Sequence, residues 1–394
     1  MEFVLLPGNH TRVGCVGSTV LSGASVPEGG CWFRDAELGV LLAGYVHHLD
    51  ENRVEVFVTV PGPLVRQTET ELVLTTKMNQ EGSDASSPDG YPLPPVEVKK
   101  VDDATYAVRK DGRLLTNLRF GDAIRPYFMP LSGPFGASVT REFPLKKVKG
   151  GSTDHVHHRS LWTGWGDVNG ADNWSEGITG VPQRVEEVTV ARGCHALGHL
   201  QFRATWMDRD GEDPVLEEVR DAFFYNLWGP ETLADVRVRF TATHGDVRFG
   251  DTKEGGFVAV RVADPLRGSH GGRIENAHGM LGEVECWGKR AGWCDYSGML
   301  DGSVVGVALM DHPSNAGYPT RWHVRDYGLM AANPFGLSHF EPGSGADGSR
   351  VLPAGDTLEF RYRVYVHAGT AREANVAERY LDFVNPPELK HLSF

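Results

Sequence analysis

A chain of 394 residues has room for two domains and a sizeable core, so it needs no disulfide or metal staple to fold. Asp and Glu number 52 against 39 Lys and Arg, and the resulting formal charge of −13 argues against phosphate backbones and anionic lipid surfaces as partners. The five cysteines form no CxxC pair, and no stretch approaches the roughly 20 apolar residues that span a bilayer, so a non-exported protein of the reduced cytoplasm is expected.

The first predicted strands are RVEVFVTV (53–60) and ELVLTTKM (71–78), rich in β-branched residues and bounded by Pro, Gly or charge. NQEGSDASSPDGYPLPP (79–95) has no apolar periodicity and reads as a linker. A small N-terminal β-sandwich-like domain (1–95) is therefore expected, followed by a large β-domain (96–394). The large domain opens with VEVKKV and TYAVRKDGRLLTNLRF, where Asp111-Gly112 marks a hairpin turn. Strands continue at VEEVTVARG (185–193), LADVRVRFTATHG (233–245), GFVAVRVAD (256–264), SVVGVALMD (303–311), WHVRDYGLM (322–330) and TLEFRYRVYVHAG (357–369). TAREANVAERYLDFVN (370–385) has helical spacing with Pro386 and Pro387 beyond it, so a short terminal helix closes an otherwise all-β chain.

Three polar constellations interrupt this pattern. DHVHHRSLW (154–162) carries three imidazoles in four positions; if extended, it puts His155, His157 and Arg159 on one face and Asp154, His158 and Ser160 on the other. RFGDTKEGG (248–256) sets Asp251, Lys253 and Glu254 in a glycine-bounded turn, where an ammonium beside a carboxylate suits acid/base work. RWHVRDYG (321–328) gathers Arg321, His323, Arg325 and Tyr327 on one face of a strand, a row whose burial without partners is costly, so a polar cavity is expected. WGKRAGWCDYSG (287–298) and DHPSN (311–315) add Trp293, Asp295 and His312, flat aromatic and planar polar groups of the kind that grip a sugar. No GxGxxG in strand–helix context, GxxxxGK[ST] or GxSxG occurs, which removes nucleotide-binding and α/β-hydrolase readings.

Together RPYFMPLSGPFGASVTREFP, DHVHHRSLWTGWGDVNGADNW, FGDTKEGGF, WGKRAGWCDYSG, DHPSN and PTRWHVRDYGLMAANPFG resemble the bacterial PmoA-like family, over about Arg125 to Gly369. The family's usual form has proline between the first two histidines, where Val156 stands here. A membrane methane oxygenase needs apolar spans that this chain lacks. The resemblance implies a large antiparallel β-sandwich similar to the galactose mutarotase supersandwich, and a setting in sugar catabolism.

These readings converge on a carbohydrate-active enzyme that cleaves or isomerises a sugar, such as an oxidised keto-glycoside. His155 or His158 is the expected base, His323 or Glu254 the acid, and Arg321 and Arg325 the stabilisers of enolate charge. His157, Arg159, Lys253, Trp293, Asp295, His312 and Tyr327 are expected substrate contacts. This reading requires no cofactor. A first alternative is a divalent-metal enzyme using His155 and His157 with His312 or Glu254 as third ligand. A second is a sugar-binding sandwich without turnover, and a homo-oligomer is compatible with each.

Overall fold

The computed structural model describes residues 1–8, 10–24, 26–35, 41–64, 72–77 and 93–392. The expected linker lies outside them as far as residue 92. Strands make up about half of the chain and helices are short, as an all-β architecture requires. Among the described residues no helix is long and apolar enough to cross a membrane.

The large domain is a sandwich of two eight-stranded antiparallel sheets. The first runs in the order Arg321–Arg325, Leu329–Asn333, Gly255–Arg261, Leu161–Trp165, Tyr127–Phe128, Arg113–Arg119, Thr105–Lys110, Glu97–Asp102. The second runs Gln183–Gly193, Leu197–Met207, Pro214–Tyr225, Thr232–Thr241, Thr357–Ala368, Ser303–Asp311, Trp293–Leu300, Arg273–Asn276. The Asp-Gly hairpin forms where the sequence places it: Asp111 and Gly112 have φ of 52° and 73°, the left-handed pair that a twisted two-residue turn needs.

Alternation along each strand assigns side chains to faces. In the first sheet Phe128, Leu161, Trp165, Phe257, Val260, Trp322, Val324, Met330 and Ala332 point inward, onto Phe202, Trp206, Phe224, Phe240, Val307, Phe360 and Val364 of the second. Between them on the same strands, Tyr127, Trp162, Ala259, Leu329 and Ala331 turn to the outer face, where Met129 and Trp174 join them.

The N-terminal unit is a closed barrel rather than the two stacked layers expected of a sandwich. Its strands follow the order Glu2–Leu6, Glu388–Leu392, Arg12–Ser22, Arg53–Leu64, Leu41–His48, Gly29–Asp35, Leu72–Lys77, the last pairing back to the first. Closure removes every free edge, and the strand that completes it comes from the other end of the chain: Glu388–Leu392 lies antiparallel to Glu2–Leu6 and meets Arg12–Ser22 in parallel. The terminal helix covers only Val376–Val384, because Asn375 just before it sits at φ 52°. Its Val376 and Phe383 join Val16, Trp32, Tyr45 and Phe57 of the barrel and Leu197, Phe223, Met310 and Tyr365 of the second sheet in one buried cluster. The barrel thus packs on the back of the second sheet, and the outer face of the first sheet lies on the opposite side of the sandwich.

Trp322 is fully buried in the inter-sheet core and its Nε1 donates to Ala291 O at 2.9 Å. Trp322→Ala is expected to lower the unfolding free energy by about 3–5 kcal/mol in urea titrations, whereas Val284→Ala at a 92% exposed position changes it by less than about 0.5 kcal/mol.

Candidate functional site

The histidine-rich segment is a turn, not the extended strand that its alternation suggested. His158 N donates to His155 O at 3.0 Å, and His155 and Ser160 take left-handed φ values of 44° and 53°. For non-glycine residues that costs roughly 1–2 kcal/mol each, so something must hold the turn in place. The holder is Asp154 between two buried guanidiniums. Arg261 Nη2 donates to both its carboxylate oxygens at 2.9 and 3.0 Å; Arg141 Nη1 donates to Oδ1 at 3.0 Å and to its backbone oxygen at 2.8 Å. Arg141 Nη2 also takes the backbone oxygen of His155 at 2.8 Å. Burial favours the neutral acid, but the His155 hydrogen bond and the two arginines outweigh it and hold the Asp154 carboxyl well below the usual range.

Because the segment turns, its three imidazoles gather instead of alternating. The His155 ring stacks on His158 and on Tyr327, each at a 4.7 Å centroid distance and 12°, and His158 stacks on Trp162 at 5.3 Å. His157 meets His158 edge to face at 4.4 Å. Arg261 donates Nη1 to His158 Nδ1 at 3.1 Å, which leaves the proton of the neutral ring on Nε2. Burial, followed by neighbouring cations, pushes His157 down to about 4 and His158 further below its ordinary value, so both are neutral at pH 7.

The second and third segments arrive on the same face. His323 points outward between the core residues Trp322 and Val324, and its Nδ1 donates to Lys253 O at 2.7 Å, leaving the Nε2 lone pair free of that bond. Asn333 Nδ2 holds the carrying loop through the carbonyls of Thr252, Lys253 and Gly255 at 3.0, 3.1 and 3.2 Å. Lys253 and Glu254 form an ion pair whose side chains remain about 40% exposed. Burial acts to raise the Glu254 pKa, yet Lys253, His323 and His157 outweigh it and keep the carboxylate ionised. His323, dominated by burial, is pushed down to about 4 despite Glu254. Tyr327, also raised by burial, sits at about 12 with Arg261 over its ring at 4.7 Å. Glu254 therefore stands within electrostatic reach of His157, His323 and Tyr327, which come from two other segments of the chain.

Several buried polar atoms here have no partner among the described residues: Arg125 Nε and Nη1, His157 Nδ1, His158 Nε2, Trp162 Nε1 and Trp174 Nε1. Arg125 is fully buried beneath this face, its Nη2 donating to Trp174 O at 2.6 Å, and Gly164 leaves it room: a Cβ there would meet Arg125 Nη1 at 3.3 Å and Asn173 O at 2.8 Å. A cluster of unpartnered donors beside aromatic rings is unusual in a structural core and suits a polar ligand.

The remaining expected contacts lie elsewhere or are already engaged. Arg159 grips Glu176 through two bonds of 2.7 and 2.6 Å. Arg321 pairs with Glu341 and donates to Gly288 O, and Arg325 pairs with Glu283 at 2.8 Å. Trp293, 7% exposed, belongs to the buried cluster facing the barrel. Asp295 is fully buried against His367 at 2.8 Å, its pKa raised by that burial. His312 lies over Phe383 beside a cavity of about 90 Å³ on the barrel side, so it is not a third metal ligand for His155 and His157. Among the described residues, only Glu28, His47 and His199 converge as three metal-ligating side chains, and they lie apart from this face. The residues that the sequence reading missed are Arg125, Arg141, Trp162, Trp174 and Arg261. Arg261 had a signal, a lone arginine inside the apolar run GFVAVRVAD.

A family model described as a family of unknown function, DUF6807, matches residues 105–381, which includes all three segments. No curated protein matches. Two solved structures from Enterococcus faecalis are similar: a protein in glycosyl hydrolase family 38 (11% identity, TM-score 0.38) and an alpha-mannosidase from strain V583 (9%, 0.40). Each alignment covers 100% of this chain but 47% and 46% of the other, so the chain spans about half the length of the structures it matches.

Asp154→Asn strips the two arginines of their counter-charge and is expected to lower thermal stability at pH 7. Since the folded pKa of Asp154 lies below its unfolded value of about 3.9, its contribution is complete above that pH and fades as the pH falls through the folded value. The gap in melting temperature between wild type and Asp154→Asn should therefore be constant from pH 7 to about 5 and shrink below about 4; a gap unchanged down to pH 2 refutes the clamp.

Proposed function

We propose that this chain, which belongs to the DUF6807 family, is a carbohydrate-active enzyme whose outer-face cluster moves protons on a sugar, with an oxidised keto-glycoside as the favoured substrate. The observation that carries this reading is the meeting of three segments: Tyr327 stacks on His155, and Glu254 lies within electrostatic reach of both His157 and His323.

The geometry supports a particular division of roles. His323 is the base, since its Nδ1–H is committed to a backbone carbonyl and its Nε2 keeps a lone pair at neutral pH. His158 suits that role poorly, because its Nδ1 lone pair is engaged by Arg261 and its Nε2 carries the proton of the neutral ring. Glu254, held ionised, is not the acid; its charge instead favours the imidazolium that forms on His323. Lys253 beside it is the proton donor. A ketone acidifies the neighbouring C–H. His323 takes that proton, the C–H pair becomes the enolate, the enolate collapses to a C=C bond as the β C–O bond breaks, and Lys253 protonates the leaving oxygen. His155, whose side chain is 39% exposed, and the half-buried Tyr327 stacked on it offer flat surfaces to the sugar ring.

The test is turnover of 3-keto-glycosides and their unoxidised parents in deuterated buffer. Turnover of the keto substrate with deuterium incorporation next to the carbonyl is expected, and His323→Gln and Glu254→Gln should each lower kcat at least tenfold, within the roughly 10²–10⁴ range of general acid–base catalysis. Because the base must be unprotonated, kcat/KM should fall as pH drops through about 4 and stay level to neutral pH, and His323→Gln should abolish that limb. Saturable glycan binding with no exchange or turnover would replace the enzyme with a binding protein.

A further inference from the structure

The apolar seam between barrel and sandwich contains a polar cluster that the proposed chemistry does not use. Glu28, just ahead of the strand Gly29–Asp35, and His47 of Leu41–His48 come from the barrel. His199 of Leu197–Met207 and Asp221 of Pro214–Tyr225 come from the second sheet. Ligand atoms of Glu28, His47 and His199 all lie within 4.8 Å of one another. His47 Nδ1 stands 3.3 Å from Glu28 Oε1 and its Nε2 3.7 Å from Asp221 Oδ1, which lies 2.8 Å from His199 Nε2. The two imidazoles and Asp221 are buried, at 4%, 0% and 4% exposure.

We propose that Glu28, His47 and His199 form a site for a divalent transition-metal ion, zinc by preference, that ties the barrel to the sandwich. Two imidazole nitrogens and a carboxylate oxygen are a donor set that suits zinc, whereas magnesium and calcium favour all-oxygen cages. Tetrahedral ligands about 2.0–2.2 Å from zinc stand about 3.3–3.5 Å from one another; His47 Nδ1 and Glu28 Oε1 stand 3.3 Å apart, and the ligand atoms of all three residues lie within 4.8 Å of one another. A supporting shell is present: Tyr45 Oη lies 3.0 Å from His199 Nδ1, which turns Nε2 toward the cluster, and Gln201 Nε2 donates to Asp221 Oδ1 at 2.8 Å.

The ligands come from both units, so bound metal acts as a cross-link that exists only in the docked fold. The site sits on the barrel side of the second sheet, away from His157 and His323, so its fate and that of the proposed catalysis can be read separately.

The experiment strips full-length protein with EDTA, reloads it with Zn2+, desalts it and counts zinc by mass spectrometry. Wild type is expected to retain about one zinc per chain, and Glu28→Gln and His47→Gln less than about 0.2. His157→Gln, at the other face, should retain the wild-type amount. Zn2+ should raise the melting temperature of wild type but not of Glu28→Gln, whose side chain is 25% exposed and whose amide keeps the shape, so its fold can be verified by circular dichroism. The proposal is overturned if reloaded wild type holds less than about 0.1 zinc, if both cluster variants keep the full amount, or if His157→Gln is the variant that loses it.

Discussion

A strand inside a sandwich must send alternate residues to opposite faces, and this constraint organises everything else in the molecule. On Arg321–Arg325 it sends Trp322 and Val324 into the inter-sheet core and His323 to the opposite face of the sheet, where it is buried. On Leu161–Trp165 it sends Leu161 and Trp165 inward and Trp162 outward. Burial of the apolar set fixes the register, because a slip of one residue would drive an imidazole and two guanidiniums into the core. The same hydrophobic packing that stabilises the sandwich therefore positions the polar residues on its far side.

The histidine turn follows a different rule. It has no ladder partners to set its shape, and two of its residues sit in left-handed backbone. Its conformation depends on charge: Asp154 is held by Arg261, which is rooted in a core strand, and by Arg141, whose backbone N–H bonds to Arg261 O at 3.0 Å. Rigid strand and strained turn are thereby joined at one carboxylate. That join brings His155 over Tyr327 and lines up a stack from Tyr327 through His155 and His158 to Trp162.

The barrel adds a second seam on the opposite side of the sandwich. The final strand, Glu388–Leu392, closes the barrel after the chain has built both sheets, so the barrel cannot be complete until the sandwich has brought the two ends of the chain together. The seam itself is largely apolar, with Trp32, Phe57 and Phe223 at its centre and the Glu28–His47–His199–Asp221 cluster set into it.

The sequence by itself determined the all-β class, the Asp111-Gly112 hairpin and the short terminal helix, because each is written in local periodicity or residue type. It also separated Trp322 and Val324 from Arg321, His323 and Arg325, since a strand's period of two is a local property. It mistook the turn at 154–160 for a strand, because left-handed φ at His155 and Ser160 is imposed by arginines more than a hundred positions away or across a loop, and no local pattern records that. It placed Trp293, Asp295 and His312 with the sugar-gripping residues, since an aromatic or a carboxylate looks the same in sequence whether it meets a ligand or packs under a barrel. Only the tertiary structure could decide which distant segments share a face, because that depends on strand order and on which side of each sheet is covered.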